Sequence, residues 1–193
     1  MYRQVEQFVL NKGKFMEQKV PLFSISTITN LGSVDGKKTK RCFIGDRWCH
    51  RDKNFDNLLG ETQPSTGPCT IATLVFSQEW TFVETAATIL GIGVDTDAKL
   101  LGQLLIKRGH TITLPQSEEM MEKTNRGEKT DMCTDGYGNF FFVETGNQEN
   151  PVSLGRVYGE ERAWFADIGM ISHDRRWFAA SRLLLRNPEA LKP

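Results

Sequence analysis

The sequence predicts an α+β fold, and three observations carry that reading. An apolar, β-branched run at Cys69 to Phe76 is followed by two segments with helical periodicity. After Asp131 the apolar period changes to two, the spacing of half-buried strands. The chain also has the means to bury a core: it is 193 residues long, 39% hydrophobic and 10% aromatic. A chain of that length buries about 70% of its unfolded surface and needs no metal or disulfide to hold together. Helices first and a strand meander afterwards argue for segregated α+β layers rather than a parallel α/β sheet. The expected inventory is two to three helices plus a twisted antiparallel sheet.

Taken in order, Val20 to Thr29 is β-rich and ends in the turn signal Asn30–Gly32. Gly60 to Pro68 is rich in Gly, Pro, Ser and Thr and marks the best internal boundary. Cys69 to Phe76 reads as a buried strand. Thr81 to Leu90 reads as a helix stopped by Gly91 and Gly93. Asp95 or Thr96 is expected to cap a second helix, with Leu100, Leu101, Leu104 and Leu105 on one face and an end at Gly109. His110 to Leu114 reads as a short strand, with His110 capping the carbonyls of the preceding helix. A third, charged helix is expected from Ser117 to Asn125. Strands follow at Asn139 to Thr145, Val152 to Tyr158, Ala163 to Ile171 and Arg182 to Arg186.

Charge excludes a global pull toward polyanions, since 24 basic residues balance 24 acidic ones. The balance is uneven along the chain: residues 1–60 hold eleven Lys and Arg against six acidic residues. Gly36 to Lys53 alone holds seven basic residues, including Lys37, Lys38, Lys40 and Arg41, interleaved with Phe43, Trp48 and His50. Such a stretch is a solvated hairpin or a nucleic-acid contact, and both readings stay open. No apolar run reaches the roughly 20 residues of a membrane span or forms a signal peptide. A cytoplasmic or virion-associated protein is the expectation.

Catalytic motifs are few. The four cysteines, Cys42, Cys49, Cys69 and Cys133, have spacings unlike metal knuckles, and reduced, partly buried thiols are expected. No nucleophile elbow, phosphate loop, dinucleotide fingerprint or zinc-protease signature is present. Asp95 and Asp97 read as helix caps before they read as cation ligands. Thr81 to Thr113 has the outline of a helix-turn-helix, but its second helix is too apolar to read bases. The expectation is a binding protein, not an enzyme, without cofactor or metal.

The C-terminal part is the informative one. Val152 to Asn187 holds six arginines (Arg156, Arg162, Arg175, Arg176, Arg182, Arg186), no lysine and no glutamine; the rest of the chain has twelve lysines against six arginines. An AAC codon randomised at its first two bases yields neither lysine nor glutamine, so rewriting at adenines produces this bias. In addition, Thr134-Asp135-Gly136-Tyr137 with Asn139, the strand Phe140 to Thr145, Trp164, and the ending Trp177 to Asn187 resemble the variable proteins of diversity-generating retroelements, in forms from archaeal viruses and uncultured microbes. Leu183-Leu184-Leu185 departs mildly from the Val-Phe-Ser usual there. The likeness is good over residues 131–187, extends over 69–130 only by element order, and hardly touches 1–68.

What the resemblance implies is a C-type-lectin-like fold over 67–193, with a variable region at about 152–187 and residues 1–66 as an N-terminal extension or subdomain. The last strand would return to pair with the first. Trp164, Trp177, Leu183 and Leu185 would be buried, and calcium would not be required. The ligand would be another macromolecule, most plausibly a protein, held by outward side chains that change at little cost. Strand alternation puts Trp164, Ala166, Ile168 and Met170 inward and Phe165, Asp167 and Gly169 outward. The expected ligand-binding patch is therefore Arg156, Tyr158, Phe165, Asp167, Gly169, His173, Arg175, Arg176, Phe178 and Ser181. The rival reading is a nucleic-acid-binding protein using residues 36–53.

Overall fold

A computed structural model describes residues 22–36, 43–44, 47–52, 57–59, 63–160, 163–169 and 175–191. Among the described residues ten strands fall in two sheets. The main sheet has eight strands in the order β1-β4-β10-β6-β7-β8-β3-β2. They are β1 (Phe23–Leu31), β2 (Phe43–Ile44), β3 (Arg47–Arg51), β4 (Cys69–Phe76), β6 (Gly138–Glu144), β7 (Val152–Glu160), β8 (Ala163–Gly169) and β10 (Arg182–Arg186). A two-stranded ladder joins β5 (Trp80–Thr81) to β9 (Arg176–Trp177). Among the described residues three α-helices of nine or more residues complete the α+β fold: α1 (Phe82–Leu90), α2 (Ala98–Lys107) and α3 (Leu114–Asn125).

The last long strand returns to the first one after the Gly60–Pro68 loop, as expected. β10 pairs antiparallel with β4, Leu183 opposite Leu74 and Leu185 opposite Ala72. On its other side it pairs with β6, and there the strands run parallel. β3 also lies parallel to β8, so the sheet is mixed rather than wholly antiparallel. Residues before the Gly60–Pro68 loop supply β1, β2 and β3 to this sheet. Within the described residues that loop is a connection inside one sheet.

Both faces of the middle of the sheet are covered. On one face α1 and α2 pack Phe82, Ala86, Leu90, Leu101 and Leu105 against Leu74, Phe140, Phe142, Leu183 and Leu185. On the other, α3 packs Met120 and Met121 with Ile71, Phe141, Val157, Trp164 and Leu184. Full burial of such side chains stabilises by about 1.5–3 kcal/mol each. α1 begins at a capping box in which Thr81 and Glu84 exchange hydrogen bonds, and it stops at Gly91, whose φ of 66° suits glycine. No helix among the described residues is long and apolar enough to cross a membrane.

Several local expectations are corrected. Asp97, not Asp95 or Thr96, caps α2, because its carboxylate reaches the amides of Lys99 and Leu100. Leu100 is 47% exposed while Leu101 and Leu105 are buried, so the apolar stripe is narrower than four leucines suggest. His110 to Thr113 form no strand. Thr113 instead caps α3 in a box with Gln116, and Pro115 sits in the first turn where its missing N–H costs nothing. Ser117 lies inside that helix with its hydroxyl on the Leu114 carbonyl. Trp177 is partly exposed rather than buried.

His110 does not cap its own helix through its ring. The imidazole is buried at the foot of the sheet, where Nδ1 donates to the Arg186 carbonyl at 2.9 Å and so holds the end of β10. Asn187, at φ 53°, adds a second clasp by donating to the Gly109 carbonyl at 3.1 Å. Burial pushes the His110 pKa down, against the opposite pull of that carbonyl hydrogen bond. The unfolded imidazole takes its proton near about pH 6.5 and the folded one only at lower pH. Between those values the unfolded chain binds more protons, so stability falls as the pH falls through that window. The urea midpoint of the native chain is expected to drop more between about pH 7.5 and 5.5 than that of a His110→Gln variant; parallel pH profiles would refute this.

Candidate functional site

The face that α1 and α2 cover at β10, β6 and the start of β7 runs on uncovered from Arg156 across β8 and β3. Register decides which side chains stand there. Arg156 of β7 lies opposite Asp167 of β8, and Tyr158 opposite Phe165. Phe165 in turn lies opposite His50 of β3. With side chains alternating, Trp48, His50, Tyr158, Phe165, Arg156 and Asp167 share one face, while Cys49, Val157, Trp164, Ala166 and Ile168 sink into the α3 side.

These side chains form a continuous row. The rings of Tyr158 and Phe165 stack with centroids 5.1 Å apart, and those of Phe165 and His50 at 4.9 Å. Trp48 meets His50 edge-on at 5.5 Å and donates its Nε1 proton to His50 Nδ1 at 2.9 Å. The His50 proton in the neutral ring is therefore on Nε2. At the other end the Arg156 guanidinium lies 4.9 Å over the Tyr158 ring and forms an ion pair with Asp167, with Nε 3.1 and 3.0 Å from its two oxygens. Stacked rings of this kind contribute about 0.5–1.5 kcal/mol each beyond their buried area. Arg156, Tyr158, Phe165 and Asp167 are half-buried, Trp48 and His50 are exposed, and the row is open to solvent on one side.

Two adjoining hollows share Asp167. One, of about 240 Å³, borders His50, Asp52, Tyr158 and Phe165. The other, of about 200 Å³, has Phe140, Leu154 and Trp177 in its wall and Arg156, Gly169 and Arg175 around it. Arg175 is exposed and its guanidinium lies 4.1 Å over the Trp177 ring, which itself leans on Phe140 at 4.3 Å. Three larger hollows, of about 370, 450 and 470 Å³, have no aromatic side chain in their walls.

What holds the row in place is on the buried side. Trp164 is fully buried and donates Nε1 to Asn125 Oδ1 of α3 at 3.1 Å. Gly159 and Gly155 let aromatic rings lie on the β7 backbone: a Cβ at Gly155 would come within 2.5 Å of the Phe141 ring, and one at Gly159 within 3.0 Å of the Trp164 ring. Strand β3 is fixed by Cys49 in the core and by the ion pair of Arg51 with Glu118 of α3, the latter side chain 1% exposed.

Of the ten expected residues, Arg156, Tyr158, Phe165, Asp167, Gly169 and Arg175 come together. Arg176 is exposed on β9 opposite Thr81, and Phe178 is 67% exposed in the turn that follows. Ser181 is not on the surface: it is 3% exposed, drawn in by the turn in which its amide donates to the Phe178 carbonyl at 3.0 Å. His173 lies outside the described residues, as do Met170, Cys42, Lys37, Lys38, Lys40 and Arg41. Trp48 and His50 belong to the row, although the sequence pointed to them only as part of a basic, aromatic stretch. That Trp–x–His pattern, with partners spaced by two on a strand, was the available signal.

The thiols stand apart from this face. Burial raises the pKa of Cys69 and of Cys133, whose Sγ donates to the Ala180 carbonyl at 3.3 Å, so both are held as thiols. Among the described residues no group of three or more His, Cys, Asp or Glu could hold a metal ion.

Glu118→Ala would strand the largely buried Arg51 beneath the row. The expected loss is about 3–5 kcal/mol in denaturant unfolding, with most of it recovered in the double replacement Arg51→Met, Glu118→Leu. A single replacement costing under about 1 kcal/mol would show that the pair does not anchor β3. Comparison with family models, with curated proteins and with solved structures returns no match.

Proposed function

We propose that this chain is a ligand-binding protein, not a catalyst, whose open sheet face is a variable surface diversified by a retroelement and carried on a C-type-lectin-like scaffold. The ligand on this reading is another protein. One observation carries it: Arg156, Tyr158, Phe165, Asp167, Gly169 and Arg175, all from the arginine-rich, lysine-free stretch, meet on one open face, while the alternate residues of β8 fill the core. Rewriting such a stretch changes the surface and spares the packing. Rigid aromatics beside adaptable charged groups are also the chemistry that antibody loops use to bind proteins. The return of β10 to β4 supports the scaffold, since the resemblance implies that closure.

The catalytic alternative has little to stand on. Cys69 and Cys133 are thiols raised in pKa by burial, and Asp167 is engaged by Arg156. A nucleic-acid-binding role has one observation in its favour: β3, from the basic stretch Gly36 to Lys53, supplies Trp48 and His50 to the same face. A salt-dependent gel shift weakened by alanine at Lys37, Lys38, Lys40 and Arg41 would support it.

Two measurements test the main reading. The flanking DNA is expected to hold a near-copy of the segment coding for residues 152–187, differing mainly at adenines, beside a reverse transcriptase gene. Finding neither removes the retroelement. Separately, variants randomised at Tyr158, Phe165 and Arg175 are expected to melt cooperatively within about 5 °C of the native chain, because about 1 kcal/mol moves Tm by only 2–4 °C at this size. Widespread unfolding in that panel would mean the face is part of the core and not free to vary.

A further inference from the structure

We propose that the partner offers this face an acidic protein segment, one carboxylate docking on Arg175 and flanking apolar side chains lying along the rings of Phe165, His50 and Trp48. This rests on the reading of the face as a binding surface and adds the chemistry of what it binds.

Charge complementarity carries the argument. At the smaller hollow Arg156 and Asp167 cancel each other, the guanidinium bound along its edge by the carboxylate. Among the described residues Arg175 has no such partner, and its guanidinium lies 4.1 Å over the Trp177 ring. Stacking occupies the face of a guanidinium and leaves its in-plane N–H groups free to grip a carboxylate. Among the described residues one positive charge therefore remains at the rim of a cavity of about 200 Å³ that joins the apolar walls of Phe140, Leu154 and Trp177 to the Arg156–Asp167 pair. That is room for about six waters, or for one short acidic side chain and its stem.

A phosphate backbone fits less well. The hollow beside the ring row adds only Arg51 as a cation, already paired with Glu118, so the described face offers one spare charge for a carboxylate and not a row of them for phosphates. The rings complete the match. Trp48 is 42% exposed although it sits in a stacked row, and exposed Trp, Tyr and Arg in rigid settings are the side chains that dominate binding energy. Trp48 and His50 also lie outside residues 152–187. They form a constant apolar anchor that stays in place when the arginine-rich stretch is rewritten, while Arg175 sets the charge this version of the face selects.

The test is to pan a phage-displayed random peptide library against the whole chain and titrate the winning peptides, made synthetically, onto variants whose melting is unchanged. Winners are expected to share an Asp or Glu close to aromatic or aliphatic residues. Arg175→Gln should weaken them by about tenfold or more, the acid-to-amide change in the peptide should do the same, and the two losses should not add. Trp48→Ala should also cost about tenfold. Winners that lose affinity on Phe165→Ala and Trp48→Ala yet carry no acid, or ignore Arg175→Gln, overturn the acidic ligand and leave the binding face standing. Winners that ignore all three substitutions, or no winners at all, remove the face and this inference together. Tighter, salt-dependent binding of a single-stranded oligonucleotide to the same residues would assign the face to nucleic acid instead.

Discussion

The structure depends on β10 being held between β4 and β6. Arg182 to Arg186 pair antiparallel with β4, Arg182 to Leu184 also pair parallel with β6, and Leu183, Leu184 and Leu185 are all fully buried. A strand covered on both faces reads as a continuous apolar run, as these three leucines do. Without it the main sheet would fall into two pieces, β1 with β4 and the ribbon from β6 to β2. It contributes to both core clusters, Leu183 and Leu185 to one and Leu184 to the other, as its neighbours β4 and β6 do. The contacts of His110 and Asn187 at its end are therefore more than local clasps. They close a pairing that spans more than a hundred residues of sequence, and the loop-closure entropy of such a contact must be offset by the packing it completes.

That pairing also explains where the open face lies. α1 and α2 shield the middle of the sheet, and the shield ends near Phe140, where Trp177 on β9 leans against the ring. Beyond that line β7, β8 and β3 continue outward with their other face still anchored by Trp164 and α3. The result is a surface supported from behind but uncovered in front. Such an arrangement keeps the positions of side chains fixed while leaving their identities free, which preorganised binding requires. The Trp48-to-Arg156 row is ordered by its own stacking and ion pairing, so little rotamer freedom is left to lose when a partner arrives.

The sequence was most legible where local chemistry and tertiary demand agree. β4 and β10 have their expected bounds, and the inward set of Trp164, Ala166 and Ile168 is buried as alternation implies. α1 is bracketed by a Thr–Glu box and a left-handed glycine, both of them local signals. Legibility failed where two local signals competed: Asp95, Thr96 and Asp97 are all good caps, and only the fold selects Asp97. The β-rich tripeptide before Leu114 was overridden by the Thr113–Gln116 box. Failure was deeper for contacts without any local signature. Nothing in Arg47 to Arg51 announces a parallel partner in β8, so the Trp–x–His spacing puts Trp48 and His50 on one strand face without joining them to the site. Ser181 was misplaced because a polar residue in a turn looks exposed until the turn's own hydrogen bond folds it inward.

The same pleat that frees one face constrains the other, and this limits what variation in the arginine-rich stretch can do. Gly155 and Gly159 lie within residues 152–187, yet rings of Phe141 and Trp164 sit against their backbone, and an added Cβ would strike those rings. Val157, Trp164, Ala166 and Ile168 are likewise committed to the α3 side. Fixed and free positions therefore alternate one for one along β8 and along β7 from Arg156 on. Shifting either strand by a single residue would carry Arg156 and Asp167 into the core and Trp164 out of it, a change no surface gain could offset. Register is thus the condition for variability here: because the buried side chains specify it so strongly, the exposed ones need not contribute to it.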